Sequence, residues 1–172
     1  MAVEAQPARV AVVSGGGTGI GRAIAAGLAQ DGFEVVIVGR RPDVLAATAD
    51  ALNNGGPSGR VGWRVADLTD PAAVQELADG LRDDHGTIDA LVNNAGGTGR
   101  EAPATLAEVA RLWRASFDQN VLSAVLLTEA VAPLLRRPGG RIVLIGSMTS
   151  RTGGGGAAYG AAKAALNGWF SG

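Results

Sequence analysis

Short apolar runs alternate with longer amphipathic segments along this sequence, and that alternation restricts the fold more than any other feature. Strand-like runs lie at residues 10–13, 34–38, 60–65, 88–92 and 141–145. Segments with helical spacing of apolar residues lie at 19–30, 42–52, 71–82, 106–117, 119–135 and 157–170. The run at 34–38 is too apolar to alternate, which is typical of a parallel strand covered on both faces. We therefore predict one α/β domain over residues 1–172, a doubly wound parallel sheet in three αβα layers.

A glycine cluster between the first strand and the first helix indicates a phosphate-binding turn. Its residues are Ser14, Gly15, Gly16, Gly17, Thr18, Gly19, Ile20 and Gly21. Gly15 permits a tight turn, Gly19 lets the backbone approach a pyrophosphate, and Gly21 allows close helix–strand packing. The alternative is an ordinary glycine-rich turn. The order of strand, glycines and helix favours a Rossmann-type dinucleotide site with Gly15, Thr18, Gly19, Ile20 and Gly21 at the cofactor.

The end of the second strand carries Gly39, Arg40 and Arg41, with no acidic residue. A carboxylate there would accept hydrogen bonds from the 2′-hydroxyl of NAD, whereas a guanidinium matches a 2′-phosphate. The alternative is a solvated basic loop. We therefore expect Arg40 to make NADP(H) the preferred cofactor, with NAD(H) possible. After the third strand, Asp67 and Leu68 are placed to line an adenine pocket, although Asp67 could also be a turn residue.

Small and amide side chains follow the fourth strand, in Asn93, Asn94, Ala95 and Gly96. Small residues at the carboxyl end of a strand leave room for a ligand, and Asn side chains can hold neighbouring backbone. The alternative is a plain turn. We expect Asn94, Ala95 and Gly96 to face the cofactor.

The region after the fifth strand contains Ser147 and then Tyr159 and Lys163, the only tyrosine and the only lysine of the chain. On a helix these two side chains lie one turn apart on the same face. A nearby ammonium favours the phenolate form of a tyrosine, which suits proton exchange at neutral pH. Ser147 can donate a hydrogen bond to a substrate carbonyl, and Ser150 is an alternative to it. The competing interpretation is a pair of side chains on a solvated face.

Composition excludes several other classes of function. With no cysteine, the chain has no disulfide, thiol nucleophile or Cys-ligated zinc, and this suits the cytoplasm. The one histidine, His85, lies in a polar stretch that is typical of a solvated helix end, so we expect neither a His-based triad nor a metal site. A net charge of −1 does not favour nucleic acid or an anionic membrane as a partner. The apolar stretch at 121–135 is too short and too polar to span a bilayer.

Taken in order, these motifs resemble those of the short-chain dehydrogenase/reductase family over nearly the whole chain. The resemblance implies the strand order 3-2-1-4-5 and NAD(P)(H)-linked interconversion of a carbonyl and an alcohol. It implies that Tyr159 is the general acid or base and also contacts the cofactor. It implies that Lys163 holds the nicotinamide ribose and lowers the pKa of Tyr159. It also implies that Ser147 orients the carbonyl and that Asn120 holds a water in a proton relay. Ser14 stands where the family usually has threonine, which keeps the hydroxyl.

Length is the main departure from the family, because its members are usually longer than 172 residues. We expect the last strands and the segment over the substrate to be missing, so that the fifth strand is an exposed edge. The resemblance to 3-oxoacyl reductases is loose, and a complete form is expected to be a homo-oligomer. The alternative function is a non-catalytic nucleotide-binding or interaction fragment of such an enzyme.

Overall fold

The computed structural model describes residues 8–55, 60–98, 103–152 and 155–170, which form one parallel sheet with helices on both faces. The five strands are β1 (Val10–Ser14), β2 (Glu34–Gly39), β3 (Val61–Val65), β4 (Ala90–Asn93) and β5 (Arg141–Leu144). The seven helices in the described ranges are α1 (Gly19–Gln30), α2 (Pro42–Asn54), α3 (Pro71–His85), α4 (Leu106–Phe117), α5 (Ser123–Val131), α6 (Thr149–Thr152) and α7 (Ala157–Phe170).

The strand order is β3-β2-β1-β4-β5, and every neighbouring pair is parallel. This confirms the predicted three-layer, doubly wound arrangement. β1 lies at the centre and is buried along its whole length, as expected for a strand covered on both faces. The chain changes direction between β1 and β4, so the carboxyl ends of these strands open a crevice, the usual ligand position in such folds.

Two apolar clusters cover the two faces of the sheet. One cluster packs α3 and α5 on the sheet and includes Leu77, Leu81, Leu127 and Val131. The other packs α1 and α2 on the opposite face and includes Ala25, Ala29, Leu45 and Ala49. The small alanines of α1 let that helix approach the sheet closely.

The structure corrects the predicted boundary of β4 at its start. Residues 88–92 were expected as a strand, but β4 begins at Ala90. Ile88 instead exchanges backbone hydrogen bonds with the segment after α5, donating its N–H to Leu134 O and accepting from Arg136 N–H. Ile88 is fully buried, so apolar composition alone could not separate this bridge from the strand.

The helical segment predicted at 119–135 also divides differently. α4 continues without a break into α5 through a π-helical stretch, Asp118–Leu122. α5 ends at Val131 and is followed by a 3-10 turn, Ala132–Leu134, because Pro133 has no N–H to continue the α-helical ladder. None of the helices in the described residues has the length and hydropathy needed to cross a membrane.

Two further expectations concern surfaces away from the carboxyl end. β5 is the outer strand of the sheet, and Val143 is 44% exposed on it. His85 does end α3, as expected, but its side chain is not fully solvated. It is only 12% exposed, and its Nδ1 lies 3.8 Å from a carboxylate oxygen of Glu34.

Candidate active site

A cleft of about 740 Å³ lies across the carboxyl ends of the strands. It brings together most of the residues that the sequence indicated. Those lining it are Gly15, Thr18, Gly19, Ile20, Arg40, Asp67, Leu68, Asn94, Ala95, Gly96, Ser147, Tyr159 and Lys163. Gly21 and Asn120 do not line it and act from beneath. Part of the loop between Ser147 and Tyr159, residues 153–154, falls outside the described residues.

Ser14 joins the glycine-rich turn to the turn after β4. Its Oγ accepts hydrogen bonds from the backbone N–H groups of Asn94 and Ala95, both at 2.9 Å, and donates to Val92 O at 3.2 Å. The Asn94 side chain returns from the other side and donates to Ser14 O at 2.9 Å. Ser14 is 1% exposed, so these bonds fix the two turns relative to each other in a dry environment.

Close packing explains two of the glycines. Gly15 has φ +64°, and a Cβ there would lie 2.9 Å from the Asn94 side-chain nitrogen. A Cβ on Gly21 would lie 2.3 Å from Gly15 O, which no side chain tolerates. The first turn of α1 can therefore lie against the loop only if residue 21 is glycine, as the sequence indicated. Gly19, at φ +52°, has open space where its Cβ would be.

The far side of the cleft combines an exposed cation, Arg40, with an anion, Asp67, that is held by its own loop. Arg40 is exposed at the end of β2. Asp67 Oδ1 accepts from the N–H and the hydroxyl of Thr69, at 3.0 and 2.8 Å. These two bonds, with a smaller contribution from the positive charge of Arg40, hold the pKa of Asp67 below its ordinary value. Because Thr69 occupies Oδ1, the second oxygen of the carboxylate remains available as an acceptor.

Asn120 lies in the π-helical stretch between α4 and α5 and is completely buried. Its side chain pairs with the Gly97 backbone, accepting from the N–H at 3.1 Å and donating to the carbonyl at 3.0 Å. It also donates to Ser116 O, four residues earlier on α4. A Cβ on Gly96 would lie 2.5 Å from Asn120 Oδ1. Asn120 therefore holds the floor of the cleft, and single π turns are common at functional sites.

Lys163 presents a buried cation on α7. The residue is 4% exposed, and its Nζ donates to Ile145 O at 2.8 Å. No ion pair to Lys163 occurs among the described residues, and burial lowers the pKa of its amine. Nζ lies 5.9 Å from the centre of the Tyr159 ring. The amine thus keeps donors to offer to a ligand, beside a half-buried phenol.

Ser147 follows β5 and faces the same cleft. Its Oγ accepts from the Thr149 N–H at 3.2 Å and lies 2.8 Å from the Thr149 hydroxyl. The alternative, Ser150, uses its hydroxyl to donate to Ser147 O at 2.7 Å, and it is absent from the cleft lining. The geometry therefore favours Ser147 over Ser150 as the hydroxyl that can reach a bound molecule.

Sequence reasoning did not single out several residues of the cleft. They include Val44, Thr69, Gly97, Thr98, Gln119 and Ser123. Gln119 immediately precedes Asn120 and Ser123 lies about one turn after it, and this closeness to Asn120 was the signal available. Thr69, two residues after Asp67, fits the turn pattern in which an aspartate binds its own backbone. The described residues contain no group of His, Asp or Glu that could hold a metal ion.

Comparison with known proteins agrees with this geometry. The family model described as short chain dehydrogenase matches residues 9–172. The chain is 40% identical over 162 residues to an uncharacterized oxidoreductase of Mycobacterium tuberculosis, covering 92% of this chain and 60% of that protein. It is 34% identical over 163 residues to a 3-oxoacyl-[acyl-carrier-protein] reductase of Escherichia coli, covering 94% of this chain and 64% of the relative.

A solved structure with bound ligands is also similar. L-Sorbose reductase of Gluconobacter frateurii, complexed with NADPH and L-sorbose, superimposes with a TM-score of 0.83 at 31% identity. The match covers 94% of this chain and 61% of that one. The chain thus spans about three fifths of the length of these relatives. With the family model matched from residue 9 to residue 172, and with the motif residues gathered in one cleft, the chain belongs to the short-chain dehydrogenase family.

Proposed function

We propose that this protein is an NADP(H)-dependent oxidoreductase that interconverts a ketone and a secondary alcohol. One observation carries the proposal. The cleft that begins at the glycine-rich turn ends at Tyr159 and Lys163, so a single elongated molecule can touch both the phosphate-binding and the proton-transfer groups. The similarity in fold to a reductase whose structure contains NADPH supports it.

The residues present fit a nicotinamide dinucleotide. The glycine-rich turn offers backbone N–H groups at the start of α1, which suit a pyrophosphate. The open space beside Gly19 accommodates it. Lys163, buried and without an anionic partner in the described residues, would donate to the ribose hydroxyls. When bound, the dinucleotide supplies or accepts the hydride.

The remaining chemistry falls to the chain itself. Reduction of a ketone requires a proton on the carbonyl oxygen, and we assign its delivery to the Tyr159 hydroxyl. Ser147 would donate to the same oxygen and stabilise the negative charge that develops on it. Asn120 would support this end of the site through its two hydrogen bonds to the Gly97 backbone. Its further proposed role is to hold a water in a proton relay.

The preference for NADP(H) over NAD(H) rests on Arg40. It lies at the end of β2 where NAD-binding members of such folds carry an acid that binds the 2′-hydroxyl. A guanidinium there attracts a 2′-phosphate and leaves a 2′-hydroxyl without its usual acceptor. Asp67 and Leu68 would enclose the adenine.

The proposed substrate is a small-molecule ketone or alcohol, and the similarity to a 3-oxoacyl reductase favours 3-oxoacyl compounds. We also propose a cytoplasmic location and a homo-oligomeric assembly.

The second candidate function is nucleotide binding without turnover. It would need only the nucleotide-binding part of the cleft, which Gly19, Arg40 and Asp67 line.

The test compares binding with turnover in the same preparation. NADPH is titrated by its fluorescence, and a panel of 3-oxoacyl thioesters and simple ketones is assayed by NADPH consumption. Tyr159→Phe should abolish most turnover and leave NADPH affinity unchanged, because it removes only the hydroxyl. Tight NADPH binding without turnover by the parent would select the second candidate. Absence of NADPH binding would reject both.

A further inference from the structure

Thr48 is a buried polar residue that lies in none of the motifs described above. It is on the second turn of α2 and is 5% exposed. A threonine hydroxyl inside a helix ordinarily donates to a carbonyl of the preceding turn. Thr48 Oγ1 instead leaves its helix and donates to Gly17 O at 2.8 Å, across 31 positions of sequence. The glycine-rich turn is therefore held to α2 by a side chain outside the turn.

Packing places the same part of the turn directly on α2. A Cβ on Gly17 would lie 3.2 Å from a methyl carbon of Val44 and 3.4 Å from one of Leu45. These residues occupy the first turn of α2, immediately after Arg40 and Arg41. Gly17, Thr18, Arg40 and Val44 all line the same cleft. The middle of the glycine-rich turn and the basic residues after β2 thus face one region of it.

The hydrogen bond sets the direction of the next amide group. In a trans peptide, the C=O of one residue and the N–H of the next point in opposite directions. Gly17–Thr18 is trans, and its carbonyl points to Thr48, so the Thr18 N–H points away from α2. In the described part of the chain, the Thr18 N–H has no acceptor, and the Thr18 side chain makes no capping bond to α1. This amide is available to a ligand.

We propose that Thr48 is a positioning residue for cofactor recognition, one that aims the Thr18 N–H at the 2′-phosphate bound by Arg40. The inference rests on the proposed function, because it requires an NADP(H) site in this cleft. Without the Thr48 hydroxyl, Gly17 O is a part-buried acceptor with no other partner in the described residues, and the peptide must tilt to reach water. The tilt would turn the Thr18 N–H away from the phosphate while leaving the rest of the dinucleotide site intact.

The experiment compares Thr48→Val with Thr48→Ser. Valine keeps the shape and removes the hydroxyl, whereas serine keeps the hydroxyl and removes a methyl. Thr87→Val, at the opposite end of the sheet, is the matched control. Affinities for NADPH, NADH and 2′,5′-ADP are measured by titration calorimetry. Thr48→Val should weaken NADPH and 2′,5′-ADP by about 10-fold, the effect of one charge-assisted hydrogen bond, while NADH changes little. Thr48→Ser and Thr87→Val should bind as the parent does.

A second measurement keeps the test independent of how well Thr48→Val folds. In the ¹⁵N-labelled parent, the Thr18 amide resonance should shift downfield as 2′,5′-ADP is added, and the same shift should persist in Thr48→Ser. If the parent binds NADPH but the Thr18 amide does not respond, or if Thr48→Val binds NADPH as the parent does, the inference is overturned and the proposed function stands. An equal loss of NADPH and NADH affinity also overturns it. A parent that binds neither cofactor rejects the proposed function itself.

Discussion

Ser14→Ala should cost this protein a large part of its stability, and Ser116→Ala should cost almost nothing. Both serines are buried, at 1% and 8% exposed, and both substitutions remove one oxygen. Ser14 Oγ serves two backbone N–H groups and one carbonyl, whereas Ser116 Oγ is buried without a hydrogen-bond partner in the described residues. Comparing the two variants therefore separates the effect on stability of losing hydrogen bonds from the effect of removing an oxygen atom.

The expected magnitude follows from the groups left behind. Ser14→Ala leaves the part-buried N–H groups of Asn94 and Ala95 without the acceptor they have in the parent. Each such group costs about 1–3 kcal/mol, so with partial relief by water we expect a loss of about 2–4 kcal/mol. Ser116→Ala removes a buried hydroxyl that has no partner in the described residues, and it should change stability by less than about 0.5 kcal/mol, or raise it.

Urea unfolding of the parent and both variants, followed by circular dichroism and by tryptophan fluorescence, measures the difference. The slope m should be the same in all three, because the surface exposed on unfolding does not change. Ser14→Ala should also weaken NADPH binding, since Asn94 and Ala95 line the cleft. Equal destabilisation by the two variants would refute the argument that Ser14 joins the two turns through its hydrogen bonds.

Three further predictions concern charges in the cleft. Arg40→Asp should weaken NADPH by about 100-fold and NADH little in calorimetric titrations, and Arg60→Asp, at the opposite end of the sheet, should affect neither. Asp67→Asn replaces one carboxylate oxygen, an acceptor, by an amide NH2, a donor, so the preference for NADPH over its hypoxanthine analogue should fall by about 10-fold in the same titrations. An unchanged ratio of the two affinities would exclude a contact between Asp67 and the adenine. Burial lowers the pKa of Lys163 from its ordinary 10.5, so over the interval just below 10.5 the unfolded chain binds more protons than the folded chain. The parent's free energy of unfolding should therefore rise with pH across that interval, and Lys163→Met should not share the rise.

The sequence predicted the fold and the composition of the cleft because both depend on local patterns. Apolar runs of strand length, glycines after the first strand, and Tyr159 one turn before Lys163 are each visible within a few residues. The carboxyl ends of parallel strands lie at one edge of the sheet, so predicting the strands also predicted which loops meet. Asn94, expected to hold neighbouring backbone, does so on Ser14 and Gly15.

The features that could not be predicted from the sequence depend on contacts between residues far apart in the chain or on the phase of a helix. The bond from Thr48 to Gly17 has no local signal, because threonine is an ordinary residue in a helix. The π-helical stretch changes the phase of the segment around Asn120, so spacing alone does not show that both Gln119 and Ser123 line the cleft. Likewise, Ile88 continues an apolar run although its backbone pairs with Leu134 and Arg136 rather than with a strand.

The hydrogen bonds between Ser14 and the turn after β4 also determine when the cleft forms during folding. They join residues 80 and 81 positions apart, so the cleft cannot exist until the chain has closed a long loop and paired β1 with β4. Contacts of such sequence separation are slow to form. A molecule that recognises this cleft therefore binds the finished fold and finds no partial site in the unfolded chain. It would slow unfolding in proportion to its occupancy and leave the refolding rate unchanged.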